Sequence, residues 1–269
     1  MKYRLICTDI DGTLLNAERY VSNATIKSIR ESQLPVILAS SRMPSAMRYL
    51  QEPLGMLDHP MICYNGGLIL GFNGKRMASH AMPDAVLDFL LHHPQRAKIN
   101  CSVYCEDQWY TGAKDQWTLR EMNNTRVDPT LVDYHDLHPL IEAQGIGIHK
   151  IMCMGDSVSL DAIVAGVLES FRESVHCYRS KDTYLEISAS GITKSAALKL
   201  LLERELEMKM EEVIAFGDNH NDVELIRDAG WGVAVANATP DVVAVADHHA
   251  PYTNKEDAVA LTLAEILNF

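Results

Sequence analysis

Short apolar runs that stop abruptly on a polar cluster recur along this chain. They constrain its fold more than any other feature. Leu5-Ile6-Cys7 gives way to Thr8-Asp9, Pro35–Ala39 to Ser40-Ser41, Met61–Tyr64 to Asn65-Gly66-Gly67, and Val213–Phe216 to Gly217-Asp218. Runs of this length and ending read as strands of a parallel sheet, buried on both faces. Helical stretches separate them. Ser22 is placed to cap one that runs to about Gln33, and Pro44 fits the first turn of the next. Strand alternating with helix predicts a doubly wound α/β sheet.

The rhythm changes near Pro83 and returns after Ile187. In between, Asp84–Leu91 reads as a helix, and Cys101–Cys105 and Gln108–Gly112 as strands around a Glu106-Asp107 turn. Lys114–Met122 follows as a helix, then a loose stretch rich in Asp, His and Pro to about Pro139. Ile148–Met154 reads as a strand, a helix capped by Ser157 runs to about Phe171, and strands follow at His176–Tyr178 and Tyr184–Ile187. Residues 83–187 therefore read as an inserted α+β domain, and 1–82 with 188–269 as one discontinuous core. In the core, Thr193–Glu205, Asn221–Ala229 and Asp257–Leu267 read as helices and Gly232–Ala236 as a strand. Thr239-Pro240 is a helix start.

Composition narrows the function classes. Of 269 residues 47% are hydrophobic and 22% charged, which suits a globular chain with a real core. The net charge of −12 argues against nucleic acid and anionic membrane surfaces, because either needs a basic face. No apolar window is long enough to span a membrane and no signal peptide is evident, so a cytoplasmic protein is expected. Cys7, Cys63, Cys101, Cys105, Cys153 and Cys177 form no CxxC pair and read as reduced thiols. The Cys101/Cys105 spacing leaves a weak metal alternative.

Chemistry concentrates where the strands end, the edge at which open α/β sheets bind ligands. Asp9 and Asp11 follow the first run, and two neighbouring carboxylates repel unless a cation lies between them. With Mg²⁺ bound, one can serve as ligand and nucleophile and the other as a proton carrier. An ordinary polar turn also accounts for Asp11-Gly12 taken alone. A second acidic cluster, Asp218 to Asp222, opens a later helix, and Asp/Asn capping accounts for it equally well by itself. Two such clusters of hard oxygen donors with no Cys/His set point to Mg²⁺ rather than zinc. Lys194 sits in a first helical turn, where the macrodipole disfavours a cation, unless it holds an anion together with the helix N-terminus. Ser40-Ser41-Arg42 adds hydroxyl and guanidinium donors.

In this order, Asp9-Ile10-Asp11-Gly12-Thr13, Ser40-Ser41-Arg42, Asn65-Gly66-Gly67, Leu185-Glu186-Ile187, Lys194, Gly217–Asp222, Ala236-Asn237-Ala238 and Asn254–Asp257 resemble the haloacid dehalogenase-like superfamily. Within it they are similar to the Cof-type sugar-phosphatase-like hydrolases. The resemblance implies a Rossmann-like three-layer α/β/α core with an inserted α+β cap domain that sets substrate specificity. It implies a Mg²⁺-dependent phosphatase of small phosphorylated metabolites working through an aspartyl-phosphate. Asp9 would be the nucleophile, Asp11 the acid and base, and Lys194 a binder of phosphoryl oxygens. The metal set would be Asp9, Asp11 through its main-chain carbonyl, and Asp218, with Asn221 and Asp222 completing or supporting it. Gly12, Ser40, Ser41, Arg42, Asn65, Gly66, Lys194 and Asn221 would bind substrate. The chain departs from the family at Ser40-Ser41 (usually Thr-Gly), at Gly67 (usually Ala) and at Ser195 (often Gly), and no expected catalytic group is missing.

Alternatives are a phosphomutase of the same superfamily and a non-catalytic Mg²⁺/phosphate-binding regulator on this fold. A dinucleotide-binding oxidoreductase fits the sheet but lacks GxGxxG after the first strand. The expected partner is a small phosphorylated metabolite, with no nucleic acid, membrane or obligatory protein partner. Within the insertion, Trp109, Tyr110 and Trp117 read as ligand walls or as core. Asn123, Asn124 and Arg126 read as polar readers of a leaving group. The insertion carries a net −7, from nine Lys/Arg and 16 Asp/Glu, which predicts a preference for monophosphates.

Overall fold

The computed structural model describes residues 2–267. By contacts the chain falls into two compact units. The first comprises the chain through Arg42, Met47–Ala78, and the chain from Ile192 onward. The second comprises Met43–Ala46 and Ser79–Gly191.

In chain order the first unit's elements are β1 (Leu5–Thr8), α1 (Asn23–Ser32), β2 (Val36–Ala39), α2 (Ser45–Leu54), β3 (Met61–Cys63), β4 (Leu68–Leu70) and β5 (Arg76–Ser79). The inserted elements are α3 (Ala85–His92), β6 (Ile99–Cys105), β7 (Gln108–Thr111), α4 (Gln116–Thr125), β8 (Thr130–Leu131), α5 (Tyr134–Gln144), β9 (Lys150–Gly155), α6 (Ser157–Phe171), β10 (Val175–Lys181) and β11 (Tyr184–Ala189). The first unit resumes with α7 (Lys194–Leu201), β12 (Val213–Gly217), α8 (Val223–Asp228), β13 (Trp231–Ala234), α9 (Pro240–Val243), β14 (His248–His249) and α10 (Ala258–Leu267).

The first sheet has the order β14-β13-β12-β1-β2-β3-β4-β5. It is parallel from β14 to β3, and β4 turns back antiparallel to β3. Alternation along β1 sends Leu5 and Cys7 to one side, where they share a buried core with Ile37, Ile62, Leu198, Leu201 and Ile226 from neighbouring strands and from α7 and α8. Opposite, α1 packs on α10, with Ser28 Oγ donating to the Ala260 carbonyl at 2.9 Å. Helices on both faces of a mostly parallel sheet make the Rossmann-like core that was expected. Ser22 caps α1 by accepting from Thr25 N at 3.0 Å, as its position suggested. Strands β4, β5 and β14 had no counterpart in the sequence reading, being short or at the sheet margin.

The second unit holds a six-stranded sheet ordered β10-β11-β9-β6-β7-β8, antiparallel except for β7 against β8. Helix α6 packs on β9, β10 and β11, and α4 on β6. Four details differ from expectation. The sheet continues past residue 187, since β11 pairs as far as Ala189 with Val175. At the other end Met82 already bridges Ile148. By contacts the second unit takes in Ser79–Gly191 together with Met43–Ala46. The loose stretch before Pro139 contains α5, which takes Pro139 into its interior because Asp133 caps it and Leu137 and Ile141 bury beneath it. Asp156, not Ser157, caps α6, accepting from Ser159 N at 2.9 Å.

Candidate active site

The site is built where β1 and β12 end side by side. Asp9 leaves β1 with its N–H donated to the Phe216 carbonyl at 3.0 Å, so the two strand ends are locked in register. The chain then makes a kinked turn over Ile10–Leu14 in which Gly12 has φ of +92°. A side chain there would be strained and its Cβ would collide with the Asp218 carboxylate. On the other strand, Gly217 leads through Asp218 and Asn219 into a tight turn at His220–Asp222 that starts α8. A Cβ on Gly217 would lie 2.5 Å from Asp222 Cβ. Glycine at both positions thus lets the two acidic loops close.

Three carboxylates converge: Asp9, Asp218 and Asp222 each offer an oxygen, all within 4.8 Å of one another. Lys194 is wholly buried at the first position of α7, whose cap Thr193 accepts from Ala196 N at 3.1 Å. Its ammonium donates to Asp9 Oδ1 at 2.5 Å and to Asp222 Oδ1 at 2.7 Å. Asp222 Oδ2 accepts the backbone N–H of Asp218 at 3.0 Å and of Asn219 at 3.1 Å. Thr13 Oγ1 donates to Asp218 Oδ1 at 2.7 Å.

The electrostatics follow from three acids sharing one buried base. Burial pushes Asp9 well above the usual carboxylate range; Lys194 opposes this, and Asp222 and Asp218 reinforce it. Burial likewise pushes Asp218 up to about 6, against the Thr13 hydrogen bond and with the help of Asp222. Lys194 is held above the ordinary lysine value: burial lowers it, but Asp222 and Asp9 outweigh that. Negative charge is in excess, the donors are all hard oxygens, and no His or Cys belongs to the cluster. That chemistry fits Mg²⁺.

A second group lies beside the first. The Asp11 carboxylate is not one of the three that converge. Arg42 grips it in a fork, Nε to Oδ2 at 2.6 Å and Nη2 to Oδ1 at 2.8 Å. Arg19 Nη2 adds a bond to Oδ1 at 3.0 Å, and Arg42 Nη1 donates to the Tyr49 hydroxyl at 3.2 Å. Arg42, expected among the substrate binders, here serves Asp11. Ser40 is buried at the end of β2; its Oγ accepts from Arg42 N at 3.3 Å and its carbonyl from Asn65 N at 2.9 Å. Ser41 is half-buried in the turn between them. Asn65 Oδ1 accepts from Asn221 Nδ2 at 2.9 Å, joining the loop after β3 to the turn before α8. Gly66, at φ of +110°, lets that loop press on the cap of α7: a Cβ would lie 2.7 Å from the Thr193 carbonyl.

Several contributors were not assigned from sequence. Arg19 and Tyr49 carry no spacing signal. Thr13, Asn237 and Asn254 stood in the quoted motifs without a role. Asn237 Nδ2 donates to the Gly12 carbonyl at 2.8 Å, Asn254 Nδ2 to the Leu15 carbonyl at 2.6 Å, and Asn254 N to Asn237 Oδ1 at 2.9 Å. These pin the Asp9–Leu14 turn from outside. Trp109 and Tyr110, left open as wall or core, are buried, with Trp109 stacked on Tyr104. Cys101 and Cys105 lie four residues apart on one strand, roughly 13 Å at strand rise, too far to share an ion.

A doubly wound α/β core that gathers three carboxylates and a buried lysine at the carboxyl ends of its strands defines the class: a Rossmann-like α/β protein with an acidic, lysine-bridged site. The sequence profile of the haloacid dehalogenase-like hydrolases matches residues 6–263, and the chain belongs to that family. It is 31% identical over 264 residues to the 5-amino-6-(5-phospho-D-ribitylamino)uracil phosphatase of Bacillus subtilis (strain 168), covering 96% of this chain and 93% of that one. A crystal structure of a haloacid dehalogenase-like hydrolase from Bacteroides thetaiotaomicron superposes with a TM-score of 0.87 at 28% identity, over 98% of this chain and 100% of the other. A subclass IIB sugar phosphatase shares the fold, with a TM-score of 0.78 at 20% identity over 99% and 100% of the two chains.

Proposed function

We propose that the protein is a Mg²⁺-dependent phosphatase that hydrolyses small phosphomonoesters, a sugar phosphate or similar metabolite, through an aspartyl-phosphate on Asp9. One observation carries the reading: a fully buried Lys194 ammonium bridges Asp9 and Asp222 inside a carboxylate cluster at the end of β1.

Asp9 and Asp218, with the main-chain carbonyl of Asp11, would hold the ion. Asp222 supports them, because its oxygens are already engaged by Lys194 and two backbone N–H groups. Asn221 sits at the rim. When bound, Mg²⁺ supplies positive charge that offsets the carboxylates and the phosphoryl oxygens. Lys194 favours the ionised form of Asp9 against the effect of burial and shares the charge of the transferring phosphoryl group. Asp9 Oδ attacks phosphorus in line and the ester oxygen leaves. Asp11 gives that oxygen its proton, then takes one from the water that cleaves the acyl-phosphate. Because Arg42 and Arg19 close the Asp11 carboxylate in this structure, proton delivery requires one Asp11 oxygen to turn from guanidinium to leaving group. Ser40 Oγ and the N–H groups around Gly12 and Ser41 receive phosphoryl oxygens, and Asn65, Gly66 and Asn221 line the entrance.

The second unit acts as the cap that selects the leaving group, and its acidity favours monophosphates. The chain works in the cytoplasm; no helix among the described residues is long and apolar enough to cross a membrane. The test is phosphate release from a metabolite panel with Mg²⁺ and with a chelator. Release that needs Mg²⁺ is expected. Phosphate moved between positions of a sugar without release would mark a mutase, and no turnover of any ester would overturn the reading.

A further inference from the structure

Two buried thiols in the second unit have no part in this chemistry. Cys101 on β6 and Cys153 on β9 are directly opposite one another in an antiparallel ladder, and both are fully buried. The backbone settles which kind of pair they form. Tyr104 O accepts from His149 N, so Tyr104 points its polar groups toward β9. Cys101, three residues earlier, points its own the other way. Its carbonyl accordingly accepts from Thr111 Oγ1 at 3.4 Å and from the Tyr134 hydroxyl, which also accepts from Gly112 N at 3.0 Å. Cys101 and Cys153 are therefore a non-hydrogen-bonded pair, the kind whose Cα atoms lie about 4.5 Å apart with side chains closest. Disulfides span Cα separations of roughly 4.4–6.8 Å. None of the other cysteines is so placed. Cys105 is two turns of the pleat away, and Cys177 sits on β10, separated from β9 by β11. A cleft of about 320 Å³ reaches Cys101, lined also by Arg96, Asn100, Gly112 and Tyr134 among others.

We infer that Cys101 and Cys153 are a redox-active dithiol that closes to a cross-strand disulfide when a peroxide enters this cleft, tying together the two central strands of the inserted sheet. The two thiols are not equivalent. A hydrogen bond from Cys153 holds Cys101 below the usual thiol range, burial opposes this, and the Arg96 guanidinium assists it. The same bond, with burial, holds Cys153 well above that range. Cys101 is thus the more readily ionised of the two and the one that attacks, and Cys153 the thiol that resolves. In the first step Cys101 sulfur bonds to one peroxide oxygen and the O–O bond breaks. Sulfur loses two electrons to the peroxide, and the departing hydroxide takes the proton that Cys101 gave up and leaves as water. In the second step Cys153 sulfur bonds to Cys101 sulfur, the S–O bond of the sulfenic acid breaks, and hydroxide takes the Cys153 proton to leave as a second water.

The inference is independent of the phosphatase reading. Its test treats the folded full-length chain with hydrogen peroxide, blocks free thiols under denaturing conditions and maps the peptides without reductant. The expected result is a linked pair containing Cys101 and Cys153, about 2 Da lighter than its two reduced peptides and separated by dithiothreitol. Cys7 and Cys63, buried in the other unit, stay alkylated, which distinguishes local closure from oxidation of unfolded chain. Cys177→Ser forms the same link, and Cys153→Ser leaves a dimedone-reactive sulfenic acid at Cys101. Oxidation confined to the more accessible Cys177, a link through any other cysteine, or Cys101 unlabelled by dimedone in the Cys153→Ser chain would overturn it.

Discussion

At the scale of single residues the site is a charge problem solved by one ammonium. Removing it in Lys194→Met leaves buried carboxylates without their partner. Breaking a buried pair in this way costs about 3–5 kcal/mol, and losing one donor to the developing charge costs at least about 100-fold in turnover. Urea titration and phosphate-release kinetics read the two losses separately. Asp218 gives a pH signature. Its folded-state value of about 6 lies above that of an unfolded carboxylate, so the folded state binds the extra proton. Without Mg²⁺ that contribution to stability is present at acid pH and is lost as pH rises through about 6. Asp218→Asn should remove this loss from chelator-treated thermal melts, and Mg²⁺ should restore the stability of the wild type at pH 7. A wild type and variant with parallel melting profiles would rule the shift out. The acidic residues and Lys194 were legible in the sequence because their chemistry is carried by residue type and order. The Arg19–Arg42 grip on Asp11 was not, since nothing in spacing says which anion a guanidinium will find.

Elements matter here chiefly through how they end. Gly12 holds a left-handed turn whose Cβ position belongs to the Asp218 carboxylate. Gly12→Ala therefore meets both backbone strain of about 1–3 kcal/mol and a displaced ligand. Calorimetry should show weaker Mg²⁺ binding together with a lower urea midpoint. By contrast Ser22→Ala, which removes the cap of α1 and no group that bonds the acidic cluster, should cost about 1 kcal/mol and leave kcat unchanged. The parallel strands and their helices were readable because burial on both faces writes continuous apolar runs. Strands β5 and β14 were not: β5 is exposed or half-exposed along its length and β14 has two residues, so neither writes such a run. Helix α5 was missed because Pro139 reads as a breaker, whereas its Asp133 cap and the burial of Leu137 and Ile141 outweigh one lost hydrogen bond.

On the scale of the molecule, the insertion was visible as a break in the α/β rhythm. Its edges were less so, because pairing of β11 through Ala189 and the Met82–Ile148 bridge are made by partners distant in sequence. If the second unit selects the leaving group, its excess of acidic side chains should make a bisphosphate a poorer substrate than the matching monophosphate. Salt should narrow that gap by screening. Equal kcat/KM for the two at low ionic strength would argue against it. Covalent transfer to Asp9 is read out by quenching the enzyme in acid during turnover and reducing it with borohydride, which converts a phosphorylated aspartate to homoserine. Conversion is expected at position 9 alone, and only when substrate and Mg²⁺ are both present. Steady phosphate release with no conversion at that position would contradict it.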